Sequence, residues 1–501
     1  MALKLIALQA LFFLSLNSFA QNLSEDLEAI YDDYNLMGIS VITICGGEID
    51  DVYHAGLKDY DNQLPIDDET KFRIASISKS ITATGMMLLK SQLDFSFDDD
   101  ISEHLGFLVR NPNFPNTPIT IAHVLSHTSS IQDGDGYNGF LSATYSSSPD
   151  LPSLQGLLDE DGDYYTSNMF RTEEPGTYFA YSNLNYGLVA TLIEAISGQR
   201  FDTYMDEQFF APLQMDASYN VENLQDIANL AALYRNQGGW TAQVDNYQGE
   251  VPEPVDLSDY TPGSNGLRFA PQGGLRISTL ELARLALLHM NEGYDTQTGT
   301  QLIPTETMQL MHTPVWTYNG SNGDNYYNLF NSWGLGIQAV TNTANGDIVF
   351  PESNLPFLGH PGEAYGLISD WYFDKDAQSG VIFLTNGSWD GFSFGDYSAF
   401  YTLEEEVFTA VEINLVCGEN VNELNGKRTA VFPSPVMSGE PIYIRSQIAT
   451  DKIELRDITG KTVHSSTLDE ERIQLPELGP GLYTLTIFNA DGITTERIVI
   501  Q

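Results

Sequence analysis

Cysteine is almost missing from this chain: there are two in 501 residues, Cys45 and Cys417. That excludes a disulfide framework and leaves room for one bond. Basic residues are scarce as well. Lysine and arginine total 22 against 68 aspartates and glutamates, a formal charge of -46. A surface that negative repels nucleic acid and anionic membrane, so neither is an expected partner. The acids are spread along the chain rather than gathered in a tail, which reads as a solvated acidic surface. Long apolar runs are lacking too. The best candidate, the mostly apolar Leu5 to Leu16, is too short to span a bilayer comfortably. With Lys4 before it and Ser18-Phe19-Ala20 after it, it reads as an export signal over residues 1–20 that is cleaved to leave Gln21 first.

The remainder divides by texture. Residues 21–417 form the large part. It closes with a helical pattern in which Phe400, Leu403, Val407 and Val411 recur around the acidic Glu404 to Glu406. Residues 418–430 are polar and rich in glycine and asparagine, and read as a linker. Residues 431–501 carry about seven short alternating strands separated by turns such as DITGK and NADGI, the pattern of a small all-β sandwich. Inside the large part the ends read as strands. GISVITICGGEI and DVYHAGLKD make a hairpin with Gly46-Gly47 at its turn, and AYGLISDWYFD and SGVIFLTNG lie near the far end. Helical patterns fill the middle: SITATGMMLLKS, ITIAHVLSH, NYGLVATLIEAISG and STLELARLALLHMNEG. The fold class expected is therefore α+β, an antiparallel sheet built from both ends of the module with a helical region inserted. The polar stretches 137–165 and 237–271 read as long surface loops.

Against so few cations, FRIASISKS places Ser76 and Lys79 one helical turn apart at a strand-to-helix junction. Positions i and i+3 share a face. A helix N-terminus disfavours a protonated lysine and favours an oxyanion. A lysine with a lowered pKa is able to take a proton from serine. A capping serine beside a surface lysine gives the same spacing, so the pair alone does not decide. Two further pieces stand near helix and strand starts. Tyr181-Ser182-Asn183 offers a phenolic acid/base and an amide that orients substrate or holds Lys79. His360-Pro361-Gly362 offers a donor to a substrate carboxylate or oxyanion, with a glycine that lets substrate approach an edge strand.

Taken together and in this order, SISK, YSN and HPG resemble the serine β-lactamase and penicillin-binding-protein superfamily. The tyrosine of the second motif makes the chain similar to the branch holding class C β-lactamases, D-stereospecific peptidases and related esterases. ITIAHVLSHTSSI, EPGTYFAYSNLNYGLVATLIEAISGQ and APQGGLRISTLELARLALL also resemble that branch. The resemblance implies a serine hydrolase. Ser76 would be acylated, Lys79 and Tyr181 would move its proton, and Asn183, His360 and Gly362 would orient substrate. The backbone N–H groups of Ser76 and Glu363 would form the oxyanion hole. No metal or other cofactor is expected. His360 stands where true class C enzymes carry lysine, which favours an esterase or peptidase over a β-lactamase proper. A penicillin-binding sensor that does not turn over stays open as the alternative. The fold implied by the motifs also brings the ends of the module together, so a Cys45–Cys417 disulfide is expected in an exported protein.

Other patterns are weaker. GFSFG around Ser393 matches the G-x-S-x-G nucleophile elbow but lacks the histidine that should follow in the same module. His123 and His127 have the spacing of a zinc pair without the intervening glutamate. The clusters Asp98–Asp100, Asp133–Gly136 and Asp159–Asp163 lack a full calcium-loop pattern and read as solvated loops. Finally, FPSP at Phe432–Pro435, DITGK and GLYTLTI resemble the C-terminal sorting domain of type IX secretion cargo. That implies secretion machinery as a partner, and release from the cell or display on its surface.

Overall fold

A computed structural model describes residues 23–146, 148, 150–415, 429–432, 438, 441–446, 450–457, 461–467, 472–479, 481–489 and 492–500. The expected export signal, Cys417, most of the linker and parts of FPSP and DITGK lie outside the described residues. The chain divides into two compact units, Ile30–Val411 and a second containing Glu412–Gln501 with the chain start up to Ala29.

In the large unit the elements used below are strands β1 (Gly38–Cys45) and β2 (Glu48–Asp59), helices α1 (Ile77–Gln92), α2 (Asn183–Ser197) and α3 (Thr279–Met290), strands β3 (Leu358–Ala364), β4 (Leu367–Asp374) and β5 (Ser379–Gly387), and helix α4 (Thr402–Asn414). The strands build one nine-stranded sheet in which the order β3-β4-β5-β1-β2 forms the centre. β1 pairs antiparallel with β5 on one side and β2 on the other, so the first and last strands of the module meet as expected. The β1 sequence GISVITIC is β-branched and buried along nearly its whole length, which suits a central strand. Its hairpin to β2 turns on Gly46 and Gly47 at φ 61° and 76°, left-handed values that glycine adopts without strain. Cys45 is disulfide-bonded.

The helices are specified locally. α3 opens with a capping box between Ser278 and Glu281, a cap worth about 1 kcal/mol. α2 stops at Gly198, which is left-handed at φ 73°. α1 is buried from Ile77 to Leu89 and forms the centre of the main core with residues of α2, α3 and the sheet.

Two expectations change. Part of 137–165 is helical: Asp135–Thr144 forms a helix that buries Tyr137 and Phe140. Within 237–271, Trp240–Val244 pairs with Leu233–Asn236. Of the three consecutive acids in α4, Glu406 is exposed and the other two turn inward. Glu404 and Glu405 are buried, and Glu405 accepts the backbone N–H groups of Asp396, Tyr397 and Ser398.

The C-terminal unit has a three-stranded sheet (Thr429–Phe432, Pro441–Ser446, Arg472–Gln474) and a four-stranded one (Thr462–Thr467, Thr450–Arg456, Gly481–Asn489, Gly492–Ile500). Ile442 and Ile473 from the first share one apolar cluster with Ile453, Leu455, Leu485 and Ile487 from the second. No helix among the described residues is long and apolar enough to cross a membrane.

Candidate active site

The strand Lys71–Arg73 runs into α1 through Ala75, whose φ of 46° is unusual for a residue with a side chain. The sharp turn sets Ser76 at the N-cap of α1, partly exposed, without a capping bond from its side chain. One turn on, Lys79 is fully buried. Its Nζ donates to Ser76 Oγ at 2.9 Å and to the Gln272 carbonyl at 2.8 Å. Burial disfavours the ammonium and lowers the Lys79 pKa to about 7, against the opposing pull of Asp133.

Tyr181 comes from the segment before α2. Its hydroxyl lies close enough to the Ser76 side chain to interact with it, its ring lies 4.9 Å from Lys79 Nζ, and burial pushes its phenol well above the ordinary value. Tyr181 therefore rests as a neutral phenol rather than as phenolate. Its ring stacks on Phe330 at 5.1 Å.

His360 faces Tyr181 from β3. Its Nδ1 lies 2.5 Å from the Pro361 carbonyl, which only accepts, so Nδ1 carries the proton. Burial, helped by the Lys79 charge, lowers its pKa to about 3. The remaining nitrogen, Nε2, is then an acceptor, 3.4 Å from Tyr181 Oη. The expectation of a donor to substrate gives way here to an acceptor directed at Tyr181.

Beyond Leu358 and Gly359, β3 has a pairing strand on one side only among the described residues. Its other edge passes the start of α1. A Cβ built on Gly362 would lie 2.4 Å from Ser369 Oγ, 2.9 Å from the Ile74 carbonyl and 3.2 Å from Ser76 N. Only glycine allows the strand this close to the Ser76 amide. Glu363 follows with its side chain exposed, and its Oε2 accepts from Tyr401 Oη at 2.7 Å.

Asn183 opens α2, and Asp133 organises it. Asp133 Oδ2 accepts from Asn183 N at 3.1 Å and from its side-chain amide at 3.0 Å. Asp133 Oδ1 accepts from Leu184 N at 2.9 Å and Ser182 Oγ at 2.7 Å. A carboxylate at a helix N-terminus satisfies free amides and favours the dipole. Read as part of a solvated acidic cluster, Asp133 instead fixes the Asn183 amide and tunes Lys79. The sequence carries a weak signal for it: an acid three residues after the HTSS segment, with Asp135 close behind.

His127 also belongs to the site. It is buried under Tyr181, with ring centroids 4.6 Å apart, and its Nδ1 accepts from Ser182 N at 3.2 Å. His123 instead accepts from Thr120 N in a helix cap, so the two imidazoles do not converge. No group of metal-ligating side chains occurs among the described residues. Asp100 is paired with Arg110. Ser393 lies in an exposed loop before α4.

A family model described as Beta-lactamase matches residues 19–397. A second, described as a secretion system C-terminal sorting domain, matches residues 430–501. Such a tail points to export, with the protein secreted or held at the cell surface. Penicillin-binding protein 4 of Amycolatopsis lactamdurans is 23% identical over 366 residues, which is 72% of this chain and 84% of that protein. Among solved structures, EstCE1, a hydrolase with promiscuous acyltransferase activity, has a TM-score of 0.56 at 19% identity, covering 78% of this chain and 98% of its own. D-amino acid amidase from Ochrobactrum anthropi SV3 has a TM-score of 0.54 at 20% identity, covering 78% and 98%. At these identities the structural likeness speaks for a common fold.

Proposed function

Since this chain belongs to the Beta-lactamase family, we propose that it is an exported serine hydrolase that cleaves an ester or amide bond through an acyl-enzyme on Ser76. The observation that carries this is the buried Lys79, with Nζ 2.9 Å from Ser76 Oγ and a pKa of about 7. As a free amine it takes the serine proton while Oγ attacks the substrate carbonyl. The developing oxyanion faces the Ser76 amide at the N-terminus of α1 and the Glu363 amide on β3. Tyr181 then protonates the leaving group as the tetrahedral intermediate collapses to the acyl ester, and draws a proton back from Lys79. His360 Nε2 holds the phenol in place between these transfers. Water attacks the ester along the same path in reverse, returning the proton to Ser76.

With its pKa lowered to about 3, His360 is neutral near pH 7, so it supplies no fixed cation for a substrate carboxylate. This favours small esters and D-amino-acid derivatives over cephalosporins. The likeness to a penicillin-binding protein supports a second reading, in which Ser76 acylates but releases product slowly. The C-terminal tail supports engagement with secretion machinery.

The test is a panel of short-chain esters, D-amino-acid amides and a cephalosporin, with burst kinetics on each. Turnover of an ester or amide that vanishes in Ser76→Ala is expected. A cephalosporin kcat/KM above every ester and amide would overturn the substrate assignment, and a stoichiometric burst without turnover would select the second reading.

A further inference from the structure

Contacts that begin at Ser76 trace a closed circuit, a rim of aromatic rings and one carboxylate. Tyr181 interacts with the Ser76 side chain. The Tyr326 ring lies 5.6 Å from that of Tyr181. Its chain neighbour Tyr327 is 84% exposed and 6.4 Å from Phe394, itself 72% exposed. Phe394 is 6.3 Å from Tyr401, and Tyr401 donates to Glu363. Glu363 follows Gly362, so the circuit closes on the Ser76 amide.

This rim is built against ordinary preferences. Large rings with that much exposure lose burial that stabilises a fold, and contiguous exposed apolar surface marks a binding site. Tyr326, Tyr327 and Asn328 are all left-handed, at φ 50°, 59° and 75°. Three successive residues with side chains seldom hold that conformation unless the surroundings impose it. The charge is one-sided as well. Asp324 and Asp133 act on Tyr326, and Glu363 presents a carboxylate whose side chain Tyr401 orients. Of the cations near this segment, Lys79 is tied to Ser76 and Gln272, and Arg73 donates to the Gly273 carbonyl and lies against the Tyr365 ring.

We propose that Glu363, oriented by Tyr401, is a specificity-determining residue, and that with Tyr326, Tyr327 and Phe394 it binds a substrate group that is positively charged and has an apolar body. The rings supply the apolar walls and their π-faces attract a cation, while the carboxylate supplies the charge and repels substrate carboxylates. This rests on the Ser76 acyl-enzyme reading.

The experiment compares aryl acetates whose ring carries a trimethylammonium, tert-butyl or carboxylate group at one position. A second series carries the same groups on the acyl chain. The readout is the rate of Ser76 acylation divided by the uncatalysed rate. In at least one series the cation should exceed its neutral isostere by about tenfold, the scale of a partly screened charge pair, with the carboxylate slowest. Glu363→Gln should bring the cation-to-isostere ratio close to one, and Tyr401→Phe should lower it part of the way. A ratio unchanged in Glu363→Gln overturns the proposal. A preference for the carboxylate does so too, and would move attention to Arg73, which lies 5.3 Å from the Tyr365 ring. Hydrolysis that persists in Ser76→Ala sinks the acyl-enzyme reading and this one with it. Ser76-dependent acylation that is blind to charge sinks this one alone.

Discussion

Asp133 Oδ2 accepts both donors of Asn183, the backbone N–H at 3.1 Å and the side-chain amide at 3.0 Å. One carboxylate thus caps a helix, aims an amide and raises the pKa of the lysine that has to lose a proton. Removing its charge should separate these roles. In Asp133→Asn the upward pull on Lys79 disappears, so the Lys79 pKa falls below about 7. The acid limb of the kcat/KM profile should then move to lower pH. In Asp133→Ala the cap is lost as well, at a cost of about 1 kcal/mol, and kcat should fall with the Asn183 amide unheld. An acid limb that stays in place in Asp133→Asn would exclude the electrostatic role.

The pH profile of the wild type follows from the same site. Lys79 is a base only when deprotonated, so kcat/KM should climb as pH rises and level off above about 7. His360, at about 3, contributes nothing to that limb. Lys79→Arg keeps a cation that does not lose its proton at these pH values, and should lower kcat by about 10²–10⁴-fold. Tyr181→Phe should lower kcat on a similar scale, while an activated phosphonate still labels Ser76 slowly. Ser76→Ala should abolish labelling. A kcat/KM flat between pH 5 and 9 would remove Lys79 from the base role.

Much of this site could be read from the chain because its chemistry fixes residue types at short spacings. Ser76 and Lys79 stand one helical turn apart, and Gly362 is required by a strand passing an amide. The fold class was equally legible, since β-branched runs at both ends of the module frame amphipathic helices. What escaped depends on contacts distant in sequence. Asp133 sits among other acids and acquires its role only when α2 arrives beside it. The helix Asp135–Thr144 carries Gly136 and Gly139, which lower helix propensity and mask the spacing of Tyr137 and Phe140. Glu404 and Glu405 have the composition of a solvated face, yet point inward to the loop and sheet they hold.

Gly362 gives a prediction that rests on space alone. A methyl there would lie 2.4 Å from Ser369 Oγ and 2.9 Å from the Ile74 carbonyl. β3 would have to move away from α1, and with it one wall of the oxyanion site. Gly362→Ala should therefore fold, because Gly362 is paired to β4 through Ser369. It should lose about 10²–10³ in kcat, the cost of an oxyanion donor. Adding Ser369→Ala removes the nearest clash but not the Ile74 carbonyl, so rescue should be partial. Full activity in the single variant would show that β3 has room to spare.

Two carboxyl groups, Asp370 on β4 and Glu404 on α4, meet in the interior and bear on stability. Burial raises both. Asp370 stands well above the ordinary range, and Glu404 rises to about 8 with Glu363 and Glu405 adding repulsion. The pair is comfortable only while it retains a proton. Glu404 has an ordinary value of 4.5 when unfolded, so below about pH 4.5 its contribution is intact. As pH rises toward about 8 the unfolded chain releases the proton first, and stability drains from the folded state. Glu404→Gln cannot ionise and escapes this loss. Its stability relative to wild type should therefore improve between pH 6 and pH 9, by about 1 kcal/mol or more, since one pKa unit is worth about 1.4 kcal/mol. Urea unfolding followed by tryptophan fluorescence measures it cleanly, because all five tryptophans lie in the large unit. A difference that stays constant over that range would mean that both groups are already ionised in the fold, and would overturn the shared proton.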